Sequence, residues 1–251
     1  MIYGAGLALV AACGGKADSP GGGTGRAAAA APVESSSRGS SGATGAGQEL
    51  RTGVTAQPPV DRIGAPRALF IGTSLTAGLG LDDPSTEAWP AVVQQIADST
   101  GVPLAMTNAG LSGETSAGAL RRGDWLLREK YDVVVIETGA NDGLRGVDPD
   151  STAANIRALI AKVRAAGPAA KILLAQMEAP TNMGPRYTKA FHDLFPRIAR
   201  ETGVTLLPFL LEGVGGVAKF NQGDGIHPTA EGARMVARNV WPGIRFTLRQ
   251  K

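Results

Sequence analysis

Residues Arg67–Leu81 read RALFIGTSLTAGLGL. Ala68–Ile71 is an apolar run long enough for a buried strand and too short for a stable helix. Gly72 closes it, Ser74 sits on the turn just beyond, and Gly78 and Gly80 keep the next residues loop-like. A serine on a Gly-flanked turn at the end of a buried strand is held by a rigid scaffold and open to a cleft, which suits a nucleophile. An ordinary strand-to-helix turn explains an isolated GTSL as well, so the rest of the chain decides between the two.

Beyond Arg62 the pattern alternates between short apolar runs and helical stretches. Strands are expected at Ala68–Ile71, Leu104–Thr107, Val133–Glu137, Ile172–Ala175 and Thr205–Leu207. Ile156, Leu159, Ile160 and Val163 share one helical face. Asp148-Pro149 is a fitting start for that helix and Gly167-Pro168 a clear stop. Phe191, Leu194, Phe195 and Ile198 repeat the spacing, with Pro196 expected to bend that helix. Strands and helices alternating in this way imply a parallel sheet covered on both faces.

The chain has 251 residues and a net charge of only +3, with Lys and Arg scattered. No basic stripe points to nucleic acid, and no polybasic run points to anionic lipid. Cys13 is the single cysteine, which excludes an intrachain disulfide and a cysteine metal cluster. His192 and His227 are the only histidines and lack metal-protease spacing, so neither a metal nor a cofactor is expected.

Residues 1–61 do not read as folded domain. Ala5–Ala12 is a short hydrophobic run ending in small residues, the shape of a signal-peptide core, and too short to span a bilayer. Val10-Ala11-Ala12-Cys13 resembles the lipobox of bacterial lipoproteins, in which the cysteine becomes the lipidated first residue. Residues 14–61 are rich in Gly, Ala and Ser and cannot bury enough surface to offset their ordering entropy. Such a linker, if coil-like, spans roughly 35–40 Å and holds a globular domain (residues 62–251) clear of a membrane. The expected address is extracytoplasmic, as a periplasmic lipoprotein anchored through Cys13.

In open parallel sheets, ligands bind beyond the carboxyl ends of the strands. Gly72-Thr73-Ser74-Leu75 follows the first strand, Asn108-Ala109-Gly110 the second, and Gly139-Ala140-Asn141-Asp142 the third. Asp224-Gly225-Ile226-His227-Pro228 follows the last strand and a long loop. A serine, a backbone-exposing glycine, an asparagine amide and an Asp/His pair thus share one sheet edge. That set meets the needs of acyl transfer: nucleophile, base, base-orienter and oxyanion donors.

These four blocks, in this order, resemble those of the SGNH (GDSL-type) hydrolases, above all the arylesterase/thioesterase I/lysophospholipase branch. The resemblance runs from Arg67 to Trp241 and includes TSLTAGLGL, NAGLSGETSAG, ANDGLRG and DGIHPTAEG. It implies a flavodoxin-like three-layer α/β/α sandwich with a roughly five-stranded parallel sheet. It also implies Ser74 as nucleophile, His227 as base and Asp224 as the acid that orients it. The oxyanion hole would be the N–H of Ser74, the N–H of Gly110 and the amide of Asn141.

The family motif has Asp where this chain has Thr73. That Asp supports the loop, so activity is expected to survive, with loop rigidity at stake; Thr73 offers a hydrogen bond but no charge. An ordinary α/β-hydrolase is excluded, because the second glycine of G-x-S-x-G is missing and acid and histidine share one loop. His192 is expected to be structural or exposed, and Trp89, Trp125 and Trp241 to pack in core or cleft. The expected function is hydrolysis of short- or medium-chain acyl esters, aryl esters or lysophospholipids, with the membrane reached only through the lipid anchor. A carbohydrate O-deacetylase or acyltransferase, or an inactive domain that binds acylated ligands, are the alternatives.

Overall fold

A computed structural model describes residues 64–250. The signal segment, Cys13 and the linker lie outside the described residues. Five strands form one sheet: β1 (Arg67–Gly72), β2 (Ala105–Gly110), β3 (Val133–Ile136), β4 (Lys171–Gln176) and β5 (Thr205–Phe209). All pairings are parallel and the order is β2-β1-β3-β4-β5, the flavodoxin-like arrangement. β1 and β3 lie side by side at its middle. Every residue of Val133–Ile136 is buried, as a strand covered on both faces requires.

The helices are α1 (Ser74–Ala77), α2 (Pro84–Glu87), α3 (Trp89–Ser99), α4 (Ser116–Leu126), α5 (Ala140–Leu144), α6 (Pro149–Ala166), α7 (Pro185–Thr202) and α8 (Ala230–Arg249). Right-handed crossovers send the β1–β2 connection over one face and the next three over the other. Accordingly α3 packs on α8, while α6 packs between α4 and α7. α6 starts where its cap chemistry dictates: Asp148 accepts from the Ser151 N–H at 3.1 Å, Pro149 opens the first turn and Gly167 follows the last. α7 runs unbroken through Pro196, burying Phe191, Leu194, Phe195 and Ile198.

Three sequence expectations change. β2 runs on to Gly110, so Asn108 and Gly110 belong to the strand rather than to a loop after it. β3 stops at Ile136, and Glu137 begins the following turn. Trp89 and Trp241 are buried, but Trp125 is 49% exposed on α4: the helix buries its face of Ser116, Ala119, Gly123 and Leu126, and Trp125 lies off it.

β2 approaches the sheet edge under α1 so closely that a Cβ on Gly110 would lie 2.2 Å from the Ala77 nitrogen and 2.6 Å from its Cα. Both are backbone atoms, so no side-chain movement relieves the overlap. Gly110→Ala should therefore cost more than about 3 kcal/mol of stability. For a domain of this size that is a fall in Tm of roughly 6–12 °C, read by thermal denaturation.

Candidate active site

The order of the sheet places its switch point between β1 and β3, where successive connections leave in opposite directions. Crevices at such points take ligands. Ser74 opens α1 directly after β1, and Asn141 lies in α5 directly after β3. Thr73 caps α1 through its hydroxyl, and Gly78 ends it in the left-handed conformation.

The fourth block reaches the same point from the β5–α8 connection. Asn221 and Pro228 pair as an antiparallel bridge, and the Gln222 N–H donates to the His227 carbonyl at 2.7 Å. Between them Gly225, at φ +72°, makes the tight turn. Asp224 Oδ1 accepts from the backbone N–H groups of Ile226 (2.9 Å) and His227 (3.0 Å). Its Oδ2 is 2.6 Å from His227 Nδ1, and His227 Nε2 is 2.8 Å from Ser74 Oγ. The backbone N–H of His227, its ring, and the N–H of Ile226 together hold the Asp224 carboxyl down to about 2. Ionised Asp224 can only accept, so Nδ1 carries the proton of neutral His227 and Nε2 is free to accept from the serine hydroxyl. Gln222 Nε2 donates to the Leu79 carbonyl at 2.7 Å, tying the histidine loop to the loop after the serine.

Ser74, Asn141 and His227 line one cavity of about 590 Å³. Leu75, Leu79, Leu144, Met177, Phe209 and Ile226 supply much of its wall. Asn141 Nδ2 donates one hydrogen to the Glu114 carbonyl at 3.0 Å, which fixes the amide orientation and leaves the second hydrogen of that nitrogen.

Gly110 is a correction. Its N–H, expected to be an oxyanion donor, goes to Asn108 Oδ1 at 2.9 Å, and Gly110 is not among the cavity's lining residues. Asn108 also donates to the Thr76 carbonyl at 2.8 Å, so it fastens β2 to α1. Gly113, three residues further on and at φ +76°, lines the cavity instead.

Sequence reasoning missed two carboxylates. Glu137 is fully buried behind Ser74. It accepts from the Thr73 N–H at 2.7 Å, the Thr73 hydroxyl at 3.0 Å and the Thr76 hydroxyl at 2.9 Å. Thr73 therefore needs no charge of its own to be held; the carboxylate comes from the turn after the neighbouring strand. Glu114 grips Arg122 through both its oxygens, and Arg122 in turn donates to the Ala109 carbonyl at 2.6 Å. Glu114 precedes α4 and Arg122 lies eight residues on, outside the i, i+4 spacing that marks a helical ion pair, so no local pattern announced that pair. His192 lies on the surface, as expected, but it does have a partner: its Nδ1 is 2.7 Å from Glu178 Oε1.

A flavodoxin-like sheet with a hydrogen-bonded Ser–His–Asp chain at its switch point defines a class: serine hydrolases outside the α/β-hydrolase fold. The chain belongs to the GDSL-like lipase/acylhydrolase family, whose sequence profile matches residues 70–235. It is 43% identical over 178 residues to esterase TesA of Pseudomonas aeruginosa, covering 70% of this chain and 87% of that one. Thioesterase 1/protease 1/lysophospholipase L1 of Escherichia coli is 38% identical over 170 residues, 67% of this chain and 78% of that one. The crystal structure of TesA matches with a TM-score of 0.68 at 41% identity, covering 72% of this chain and 99% of that one. A psychrotrophic esterase EstA from Pseudoalteromonas, solved with monoethylphosphonate as inhibitor, matches at 0.69 and 34% identity, covering 74% and 100%.

Burial pushes the Glu137 carboxyl above its ordinary value of 4.5, although the bonds from Thr73 and Thr76 oppose the rise. A carboxyl raised in the fold contributes stability that is complete below the ordinary value and lost as pH rises through the folded one. Glu137→Gln turns an NH₂ toward a site of three donors and should cost about 1–3 kcal/mol. Denaturation at pH 5 and pH 8 should show the deficit largest at the acid end and narrower at the alkaline end.

Proposed function

We propose that this chain is a serine esterase whose acyl-enzyme forms on Ser74. The observation that carries the reading is the 2.8 Å contact of Ser74 Oγ with His227 Nε2 at the floor of a largely apolar cavity. Ser74 Oγ attacks the ester carbonyl carbon as its proton passes to His227 Nε2. Asp224 stabilises the imidazolium that results and does not itself take the proton. The developing oxyanion receives the Ser74 N–H, the remaining Nδ2 hydrogen of Asn141 and, in place of Gly110, the N–H of Gly113. Such donors are each worth about 3–4 kcal/mol of barrier. His227 then protonates the departing alkoxide. Water, deprotonated by the same nitrogen, releases the acid.

The substrates are short- or medium-chain acyl esters, aryl esters or lysophospholipids. The names esterase, arylesterase and thioesterase/lysophospholipase among the relatives support that range. The leucine, methionine and phenylalanine walls favour an acyl or aryl group over a sugar, which disfavours the O-deacetylase reading.

Ser74→Ala should fold with an unchanged melting curve, lose nearly all hydrolysis of 4-nitrophenyl butyrate and escape labelling by a fluorophosphonate. Because Asp224 stays ionised far below neutrality, its own protonation should not limit kcat/KM near neutral pH. The profile should rise through one ionisation and level off. Asp224→Asn should lower that plateau by up to about 10⁴-fold.

For the address, we propose export and lipid attachment at Cys13, supported by Val10–Cys13 and the Gly/Ala/Ser-rich segment after it. In a bacterial host, Cys13→Ser should release the esterase from the membrane fraction or leave an uncleaved precursor, with activity in detergent retained. Mass spectrometry of the mature N-terminus checks it; an unlipidated chain starting elsewhere contradicts it.

A further inference from the structure

The cavity beside Ser74 carries one group that acyl transfer does not use. Glu178 is the only Asp, Glu, Lys or Arg among the described residues that line it. It follows the carboxyl end of β4, and its position is fixed from behind. Gln176 Nε2 donates to Oε1 at 2.8 Å, and His192 Nδ1 lies 2.7 Å from the same oxygen. Both contacts fall on Oε1, and the side chain keeps about a third of its surface exposed (32%). A carboxylate is thus held in an apolar wall, with no Lys or Arg among the described lining residues to oppose it. The second carboxylate nearby, Asp224, adds charge of the same sign behind His227.

We propose that Glu178 sorts substrates by charge, favouring esters that carry a cationic group, such as a quaternary ammonium, over anionic esters of the same shape. The proposal rests on the esterase reading of this cavity. A cavity of about 590 Å³ is on the order of 10 Å across, comparable to one Debye length at 0.1 M salt. A charge anywhere on a bound substrate therefore feels Glu178 at low ionic strength. Low-dielectric walls strengthen the effect relative to open water. Arg145 stands outside the lining, with its guanidinium donating to the Gly113 carbonyl at 3.1 Å, and among the described lining residues no Lys or Arg compensates a phosphate, sulfonate or carboxylate. This disfavours acyl-CoA thioesters and anionic lysophospholipids, and favours neutral or choline-bearing esters within the range above.

The test is a matched set of phenyl butyrates with a neutral, a trimethylammonium or a carboxylate substituent on the ring. Each rate is divided by that ester's own alkaline hydrolysis rate. All assays run at pH 8. In 20 mM salt the wild type should prefer the cationic over the anionic ester by about tenfold or more in kcat/KM. Raising the salt to 0.5 M should compress that ratio toward one. Glu178→Gln should lower the ratio at least threefold, and Glu178→Lys should invert it. The ratio is internal to each enzyme, so altered stability or chemistry cancels. Should the variants fail to fold, the salt series on the wild type decides alone. A wild-type ratio near one at low salt, or one that survives Glu178→Gln unchanged, overturns the proposal while hydrolysis of the neutral ester leaves the esterase reading standing. Failure to hydrolyse even the neutral ester overturns both.

Discussion

A carboxylate with no cation bonded to it, sealed between two strand ends, is expensive unless donors surround it. Glu137 is such a group, and the donors it finds are the N–H and hydroxyl of Thr73 and the hydroxyl of Thr76. The bonds cross from the end of β3 to the turn after β1. They therefore join the turn that leads into the helix of Asn141 to the helix that opens with Ser74. Gly72 is indispensable to the same arrangement, since a Cβ there would press on Thr76 Oγ1 at 2.0 Å and on Glu137 Oε2 at 2.7 Å. The strand pairing, the missing side chain and the buried acid are three parts of one constraint. Together they set where the serine hydroxyl stands.

A second clamp acts on the neighbouring strand end. Glu114 and Arg122 face each other through two bonds, and Arg122 reaches the Ala109 carbonyl at the end of β2. Asn141 leans on the carbonyl of the same Glu114. Asp142, buried beside it, accepts from the Ser116 N–H at 2.8 Å and its hydroxyl at 2.5 Å. Residues 114–116 thus serve as a bench on which the third block rests. The oxyanion side of the site is braced by charged and polar groups, and the substrate side is left largely to apolar ones, with Glu178 the one carboxylate among the described lining residues. This division places rigid electrostatics where charge develops and tolerant surface where shape varies.

Much of this was legible in the chain. The five strands were visible because parallel strands buried on both faces read as short apolar runs. Ser74, Asp224 and His227 were picked out because four blocks in order resemble those of the SGNH hydrolases, and the structure brings their side chains within hydrogen-bond reach. The errors arose where a group's role depends on a partner or a packing face that its residue type does not announce. Gly110 looks like a free donor until Asn108, two residues earlier, turns back to take its N–H. Thr73 looks like a weakened support until Glu137, 64 residues away, is seen holding it. Trp125 looks like core because of its type, and only the packing of α4 shows which face that helix turns outward. Cys13 and the linker are compositional readings, and no contact among the described residues bears on them.

Ser74 and His227 meet across 153 residues of chain. The serine belongs to the first strand and its turn; the histidine arrives on the last loop, between β5 and the helix that closes the domain. A ribosome therefore releases the nucleophile long before its base. Contacts between such distant segments bear a high loop-closure cost and accumulate late in folding. Catalysis is thus a property of the completed domain alone: a half-made or truncated chain holds a serine of ordinary reactivity. The enzyme acquires its chemistry and its finished fold in the same event, and local release of the 221–228 loop would switch that chemistry off while the sheet remained standing.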